Sequence, residues 1–175
     1  VENPSTPNFS IRKVTVQDIK EVYRLLVANR PYVGLNSRYT YFLLARDFQD
    51  TCLIAQVADK IVAFASGYLS PKRPDTFFSW EVVVDKPYRG NGLQKMLLLN
   101  QLRLSGARYF EATVNPSNPA SKNSYLTLAR LLDAGVEERL LFSEADFEFD
   151  GHEAEVLLRI GPISKSALER LLLAQ

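Results

Sequence analysis

At 175 residues, with 46% hydrophobic and 11% aromatic content, the chain has the size and composition of one folded domain with a substantial core. Lys and Arg number 21 against 20 Asp and Glu, a net charge of +1 that excludes a broad basic surface, so no nucleic-acid partner is expected. Val1 to Asn8 holds two prolines and no apolar stretch, and no run reaches membrane-spanning length; the expectations are no signal peptide, no membrane partner and a cytoplasmic location.

Residues 1–8 read as a flexible N-terminal segment. Phe9 to Val14 alternates apolar and polar residues, the pattern of a strand with one buried face. Thr15 with Asp18 makes a capping-box-like helix start, Ile19, Val22, Tyr23, Leu26 and Val27 recur at helical spacing, and Pro31 ends the run. Asn36 and Ser37 start a second helix through Phe48, carrying Tyr39, Tyr41, Phe42, Leu43 and Leu44. The single Cys52 has no disulfide partner and nothing nearby to lower its pKa, so it reads as a buried strand residue rather than a nucleophile. Leu53 to Val57 and Ile61 to Leu69 flank Ala58-Asp59-Lys60 as a hairpin. Pro71 and Pro74 mark an exposed loop before an apolar strand from Phe77 to Val84. Leu93 to Leu104 is too long and leucine-rich for a strand and reads as a helix, and Arg108 to Val114 returns as a strand, giving a right-handed strand-helix-strand unit. Ser121 to Ala134 is helical by pattern and ends at Gly135. Glu138 to Phe142 and Glu153 to Ile160 form a closing strand pair, with Asp150-Gly151 in the connection, and Lys165 to Leu173 is a short amphipathic helix. The main domain is bounded at 9–163, with 164–175 as a C-terminal helix.

The segment Arg89-Gly90-Asn91-Gly92-Leu93 stands between strand and helix. A helix that begins in a glycine-rich turn presents unpaired backbone N–H groups and the positive end of its dipole, and glycines let a diphosphate approach the backbone. The dinucleotide fingerprint G-x-G-x-x-G is excluded because no third glycine follows, and a Walker loop is excluded because G-K-S/T is absent. The plain alternative is a turn followed by a helix start.

The R-x-x-G spacing, with glycine also at the second place, resembles the acyl-CoA pyrophosphate loop of the GCN5-related N-acetyltransferases, whose usual signature is Q/R-x-x-G-x-G/A. Arg89 and Gly92 match, and Gln94 replaces the final small residue. Beyond the next strand the family carries N-x-x-A-x-x-x-Y, and Asn118, Ser121 and Tyr125 stand at that spacing. The resemblance implies an α/β (α+β) fold with a mixed central sheet, splayed fourth and fifth strands, and flanking helices. It implies acetyl-CoA as co-substrate and no metal. CoA would lie along Val82, Val83 and Val84, on Arg89, Gly90, Asn91, Gly92, Leu93 and Gln94, and at Asn118 and Ser121. It implies Tyr125 as proton donor to the departing thiolate, against the alternative of a tyrosine packed in the core, and Glu81 as a water-linked general base.

Leu35-Asn36-Ser37 with Tyr39 and Tyr41, Asp47-Phe48 with Asp50-Thr51, Gly67-Tyr68, Pro74-Asp75-Thr76, Trp80, Pro116-Ser117-Asn118, and His152-Glu153 with Glu155-Val156-Leu157 together resemble one subfamily, the L-2,4-diaminobutyrate acetyltransferases of ectoine biosynthesis. That resemblance implies acetyl transfer to the 4-amino group of the diamino acid in a ternary complex, a homodimer, and a substrate site from Asn36, Tyr39, Tyr41, Trp80, Thr113, His152, Glu153 and Glu155. Period two places Glu153 and Glu155 on one face of a strand and His152 on the other; the alternative is the solvated face of a hairpin. Trp80 and Glu81 fall on opposite faces. Gly34, Glu81, Asn115 and Tyr125 depart from the subfamily's usual Asp, Gln, Thr and Phe, so another small diamine, diamino acid or polyamine stays open as the acceptor, as does a non-catalytic acyl-CoA-binding module.

Overall fold

The computed structural model describes residues 8–31, 34–148 and 151–174. Chain order is β1 (Ser10–Lys13), α1 (Ile19–Ala28), α2 (Arg38–Asp47), β2 (Leu53–Val57), β3 (Lys60–Ser70), β4 (Arg73–Val84), α3 (Leu93–Ser105), β5 (Tyr109–Val114), α4 (Pro119–Leu131), β6 (Val136–Phe142), β7 (Glu155–Ile160) and α5 (Lys165–Leu173). The hydrogen-bonded strand order is β1-β2-β3-β4-β5-β7-β6, with β4 and β5 parallel and the β1–β2, β2–β3, β5–β7 and β6–β7 pairs antiparallel. The expected mixed sheet and element order are borne out. The β4–β5 ladder pairs Thr76 to Ser79 with Tyr109 to Ala112, whereas β4 runs on to Val84 and β5 to Val114.

The chain divides into two compact units, the first running to Tyr68 and including Glu81–Ser105, the second comprising Leu69–Trp80 and the chain from Gly106. In the first, Thr15 donates through its backbone N–H and its hydroxyl to Asp18 at 2.7 and 2.8 Å, completing the capping box. Asp18 also accepts two bonds from Arg12, which chiefly hold its carboxyl down at about 2. Alternation along β2 and β3 sorts the core into two faces. Ile54 and Phe64 pack with Ile19, Val22, Leu26, Tyr41 and Leu44 of the first two helices, while Leu53, Ala55, Ala63 and Ala65 pack with Leu93 and Leu97 of α3. Each such aliphatic side chain contributes about 1.5–3 kcal/mol through burial, and Leu97→Ala would cost about 2–5 kcal/mol. Val27, which shares the helical spacing, is exposed. Cys52 is buried one residue before β2, and burial pushes its thiol up to about 11, so it offers no nucleophile at neutral pH.

In the second unit, Phe77 of β4, Phe110 of β5 and Tyr125 of α4 form a chain of tilted rings with centroids 6.1 and 5.6 Å apart. Glu111, only 1% exposed, accepts from Arg73 of β4 at 2.7 Å and from Arg159 of β7 at 2.6 Å, and Arg159 also donates to Thr76 and stacks on Tyr109. Three strands are thereby clasped around one carboxylate. Gly161 at φ 149° closes β7; a Cβ there would lie 2.5 Å from the Tyr109 ring, so no other residue fits.

Several boundaries differ from expectation. β4 begins at Arg73 instead of Phe77, and Pro74 lies within it; its missing N–H falls before the β5 ladder begins at Thr76. Helix α4 begins at Pro119, two residues ahead of Ser121, because Asn118 caps it and Pro119 suits the first helical position. β7 starts at Glu155, so Glu153 lies outside the strand and the same-face pairing of Glu153 with Glu155 does not hold. Asp150 and the start of the N-terminal segment, residues 1–7, lie outside the described residues.

Candidate active site

The glycine loop is built by local rules. After β4, a 3-10 turn over Lys86–Tyr88 leads to Gly90 at φ 82° and Gly92 at φ 76°, both in the left-handed region. A Cβ at either would meet nothing within 4 Å, so the glycines serve the backbone conformation and leave its surface open. Asn91 donates to the carbonyls of Tyr88 and Arg89 at 3.0 and 3.4 Å, stiffening the turn. Leu93 is buried against Leu53, Ala65 and Leu97, so the first residue of α3 is anchored by its side chain while the first-turn N–H groups remain outside the helical ladder. Gln94 is half-buried beside it. Arg89 donates through Nε to the carbonyl of Val84 at 3.0 Å and through Nη2 to Asn29 Oδ1 at 2.8 Å, so its guanidinium is tied to the end of β4 and the end of α1. An open backbone cradle at a helix start fits a diphosphate. Val83 is buried and Val82 and Val84 are half-buried, packing against the α1–α2 and α3 sides of the core respectively.

Glu81, at the entry of β4 into this unit, is largely buried. Burial pushes its carboxyl up to about 7, offset in part by a hydrogen bond from the Tyr41 hydroxyl at 3.4 Å. The other oxygen, Oε2, is buried with no hydrogen-bond partner among the described residues, so a carboxyl at about 7 is roughly half ionised at neutral pH and keeps an acceptor for an incoming polar hydrogen. The Tyr41 phenol, with no exposed surface, is held in turn by the backbone N–H of Asn36 at 3.1 Å, and its own pKa is pushed up to about 12 by burial and by Glu81. The structure therefore joins Asn36, Tyr41 and Glu81. Tyr39, two residues or about half a turn earlier on α2 and 71% exposed, is not part of that contact.

In the second unit, Asn118 Oδ1 accepts from the backbone N–H of Ser121 at 3.0 Å, capping α4, and Tyr125 lies one turn further on. Tyr125 is 6% exposed, and burial raises its phenol, with the Ser79 and Ser121 hydroxyls opposing part of the shift. A phenol in that state keeps its proton at neutral pH. Thr113 is half-buried on β5 and Trp80 is 44% exposed on β4. Glu155 accepts from Asn115 Nδ2 at 3.2 Å and has His152 Nε2 3.6 Å away. His152 stacks on Phe147 at 4.3 Å. Glu153 spends both oxygens on Ser117, one on its backbone N–H and one on its hydroxyl, which hold its carboxyl below the ordinary range. Asn29 and Ser79 are contributors that sequence reasoning did not assign to a site, and Asn115 and Ser117 entered it only through the resemblance, with no role given. Asn29 shows in sequence only as an asparagine before Arg30-Pro31, a helix-end signal that says nothing of Arg89. Among the described residues no group of three or more His, Cys, Asp or Glu could hold a metal ion, and no helix is long and apolar enough to cross a membrane.

The profile of the Acetyltransferase (GNAT) family matches residues 19–128, which include the glycine cradle, α3 and the β4–β5 ladder. The chain belongs to that family. Its curated relatives include the L-2,4-diaminobutyric acid acetyltransferases of Streptomyces coelicolor, 40% identical over 162 residues covering 90% of this chain and 95% of the relative, and of Shouchella clausii, 37% identical over 161 residues covering 90% and 89%. Among solved structures, the diaminobutyrate acetyltransferase of Paenibacillus lautus, in complex with its substrate L-2,4-diaminobutyric acid and coenzyme A, superposes with a TM-score of 0.82 at 34% identity, covering 89% of this chain and 96% of that one. Ard1 from Thermoplasma volcanium, at 18% identity and a TM-score of 0.69 over 87% of this chain and 97% of its own, shares the fold.

Proposed function

We propose that this acetyltransferase moves the acetyl group of acetyl-CoA to the 4-amino group of L-2,4-diaminobutyrate, the acetylation step of ectoine biosynthesis, by direct attack in a ternary complex. The observation that carries the reading is the likeness along nearly the whole chain to an enzyme solved with that amine and coenzyme A.

The residues supply what the chemistry asks for. An ammonium group must lose a proton before its nitrogen can attack, and a carboxyl at about 7 with one unpartnered oxygen accepts a proton at neutral pH; that is the role of Glu81, directly or through one water. As the new N–C bond forms and the C–S bond breaks, Tyr125, kept protonated by burial, donates a proton to the thiolate, and the second proton that the nitrogen sheds on becoming an amide restores the phenol. Backbone N–H groups at Val82 to Val84 polarise the thioester carbonyl, and the Gly90 to Leu93 turn takes the diphosphate. Asn118 and Ser121 support the co-substrate arm. Asn36, Tyr39, Tyr41, Trp80, Thr113, His152 and Glu155 form the acceptor side, with Glu155 reading an ammonium group and Glu153 acting one step back, through Ser117. The working form is a homodimer in the cytoplasm, which light scattering of the pure protein and fractionation of its host cells would test.

The test is an acetyl-transfer screen with diaminobutyrate, ornithine, lysine, diaminopropionate and polyamines, with the acetyl position fixed by NMR. Diaminobutyrate acetylated at the 4-amino group with the highest kcat/KM is the expected result. Saturable activity on spermidine with none on diaminobutyrate would overturn the acceptor, and CoA binding without turnover of any amine would overturn the enzyme.

A further inference from the structure

Asn29 sits immediately after α1, remote in sequence from the glycine loop, and is 3% exposed. A buried primary amide costs free energy unless its donors and acceptor are met, and both ends of Asn29 are met. Its backbone N–H turns to the carbonyls of Leu26 and Val27, so its side-chain Nδ2 takes the place of the main chain and donates to the Leu25 carbonyl at 2.9 Å. The same nitrogen lies 3.5 Å from Asp85 Oδ1, whose other oxygen accepts from Lys60 at 3.1 Å. Its Oδ1 accepts from Arg89 Nη2 at 2.8 Å, while Arg89 Nε donates to the Val84 carbonyl at 3.0 Å. Two bonds to one edge of a planar guanidinium fix its orientation, and Arg89 is the residue from which the Gly90-Asn91-Gly92 turn departs. Asn29 thus links the end of α1 to both flanks of the loop, Asp85 before it and Arg89 at its start.

We propose that Asn29 is a positioning residue for the co-substrate: through Arg89 it holds the glycine loop in the shape that receives a diphosphate. The inference rests on the reading of that loop as the acyl-CoA cradle. The Arg89 side chain then acts as a strut of the loop, and the diphosphate is met by backbone N–H groups.

The experiment compares Asn29→Leu, which removes the acceptor and donor at similar volume, with Asn29→Asp, which keeps the acceptor toward Arg89 but loses the donor to Leu25. For Asn29→Leu, the acetyl-CoA KM and the CoA Kd by calorimetry are expected to rise on the order of tenfold, with the amine KM and kcat within about threefold of the parent. Asn29→Asp is expected to lose Tm yet keep the acetyl-CoA KM within about threefold. In an Arg89→Ala background, Asn29→Leu is expected to add less than about twofold to the CoA Kd, since the contact it would remove is already gone. Equal rises in KM for both Asn29 variants in step with their Tm, or a full additional loss in the Arg89→Ala background, would overturn the proposal. Unchanged CoA affinity in Gly92→Val would overturn the loop reading itself, whereas weakened affinity in Gly92→Val with none in Asn29→Leu overturns the role of Asn29 alone.

Discussion

Replacing Glu81 by Gln should make the protein slower and, above neutral pH, more stable. Burial lifts the Glu81 carboxyl from 4.5 to about 7, which means the fold pays to ionise it. In the unfolded chain Glu81 titrates near its ordinary value, so below that value both states are protonated and the penalty is absent. It grows as pH rises from there through 7 and is complete above, where it amounts to roughly 3 kcal/mol. Glutamine has nearly the same shape and no charge, so the variant's Tm should equal the parent's at about pH 4 and exceed it by on the order of 5–10 °C at about pH 8.5. Thermal scans across that range measure the gap. In parallel, the parent's kcat/KM for diaminobutyrate should fall on an acid limb centred near 7, reaching about a tenth of its plateau at pH 6, and Glu81→Gln should lose that limb together with a factor of about 10²–10⁴ in rate. A Tm gap of the same size at both ends of the pH range, or an acid limb that persists in the glutamine variant, would remove Glu81 as a buried base.

Tyr125→Phe should lower kcat by about tenfold or more while CoA affinity by calorimetry stays unchanged; an unaltered kcat would leave Tyr125 as a core ring packed at a tilt against Phe110. Gly92→Val forces a β-branched residue to φ 76°, which costs about 1–3 kcal/mol of local strain, and should weaken CoA binding about tenfold, read by calorimetry. Because Glu153 is engaged with Ser117 and Glu155 stands beside His152 and Asn115, Glu155→Gln should raise the amine KM several-fold and Glu153→Gln should leave it within about twofold; steady-state kinetics with both substrates varied separates them.

Local chemistry made much of this fold readable. Thr15 and Asp18 announce a helix start by the hydrogen bonds they go on to make, and Leu93 to Leu104 is too apolar for too long to be anything but a helix. The errors fall where a residue's local bias met a tertiary context. Pro74 read as loop because proline weakens a strand, but it lies ahead of the β5 ladder, on a stretch of β4 that does not pair with β5. Ser121 read as the helix start because the cap at Asn118 was valued for its match to a motif and not for its geometry. For the candidate site, the shape of the glycine loop was legible because its conformation is encoded in two glycines one residue apart. The acceptor residues were legible only as types, since period-two reasoning needs a strand and Glu153 precedes one. Asn29 and Tyr41 gain their meaning from partners 60 and 40 positions away, a relation that no local pattern carries.

The carboxylate of Glu111 between Arg73 and Arg159 also bears on how the enzyme tolerates its surroundings. Exposed pairs such as Lys13 with Asp50 and Lys122 with Glu138 fade as ionic strength rises, because at molar salt the screening length shrinks to about 3 Å. The Glu111 carboxylate is shut away from those ions, one residue from where the β4–β5 ladder ends, so the clasp on β4, β5 and β7 is screened less than the surface pairs are. Added salt should therefore loosen the surface pairs well before it loosens the strands that carry the Phe77, Phe110 and Tyr125 rings.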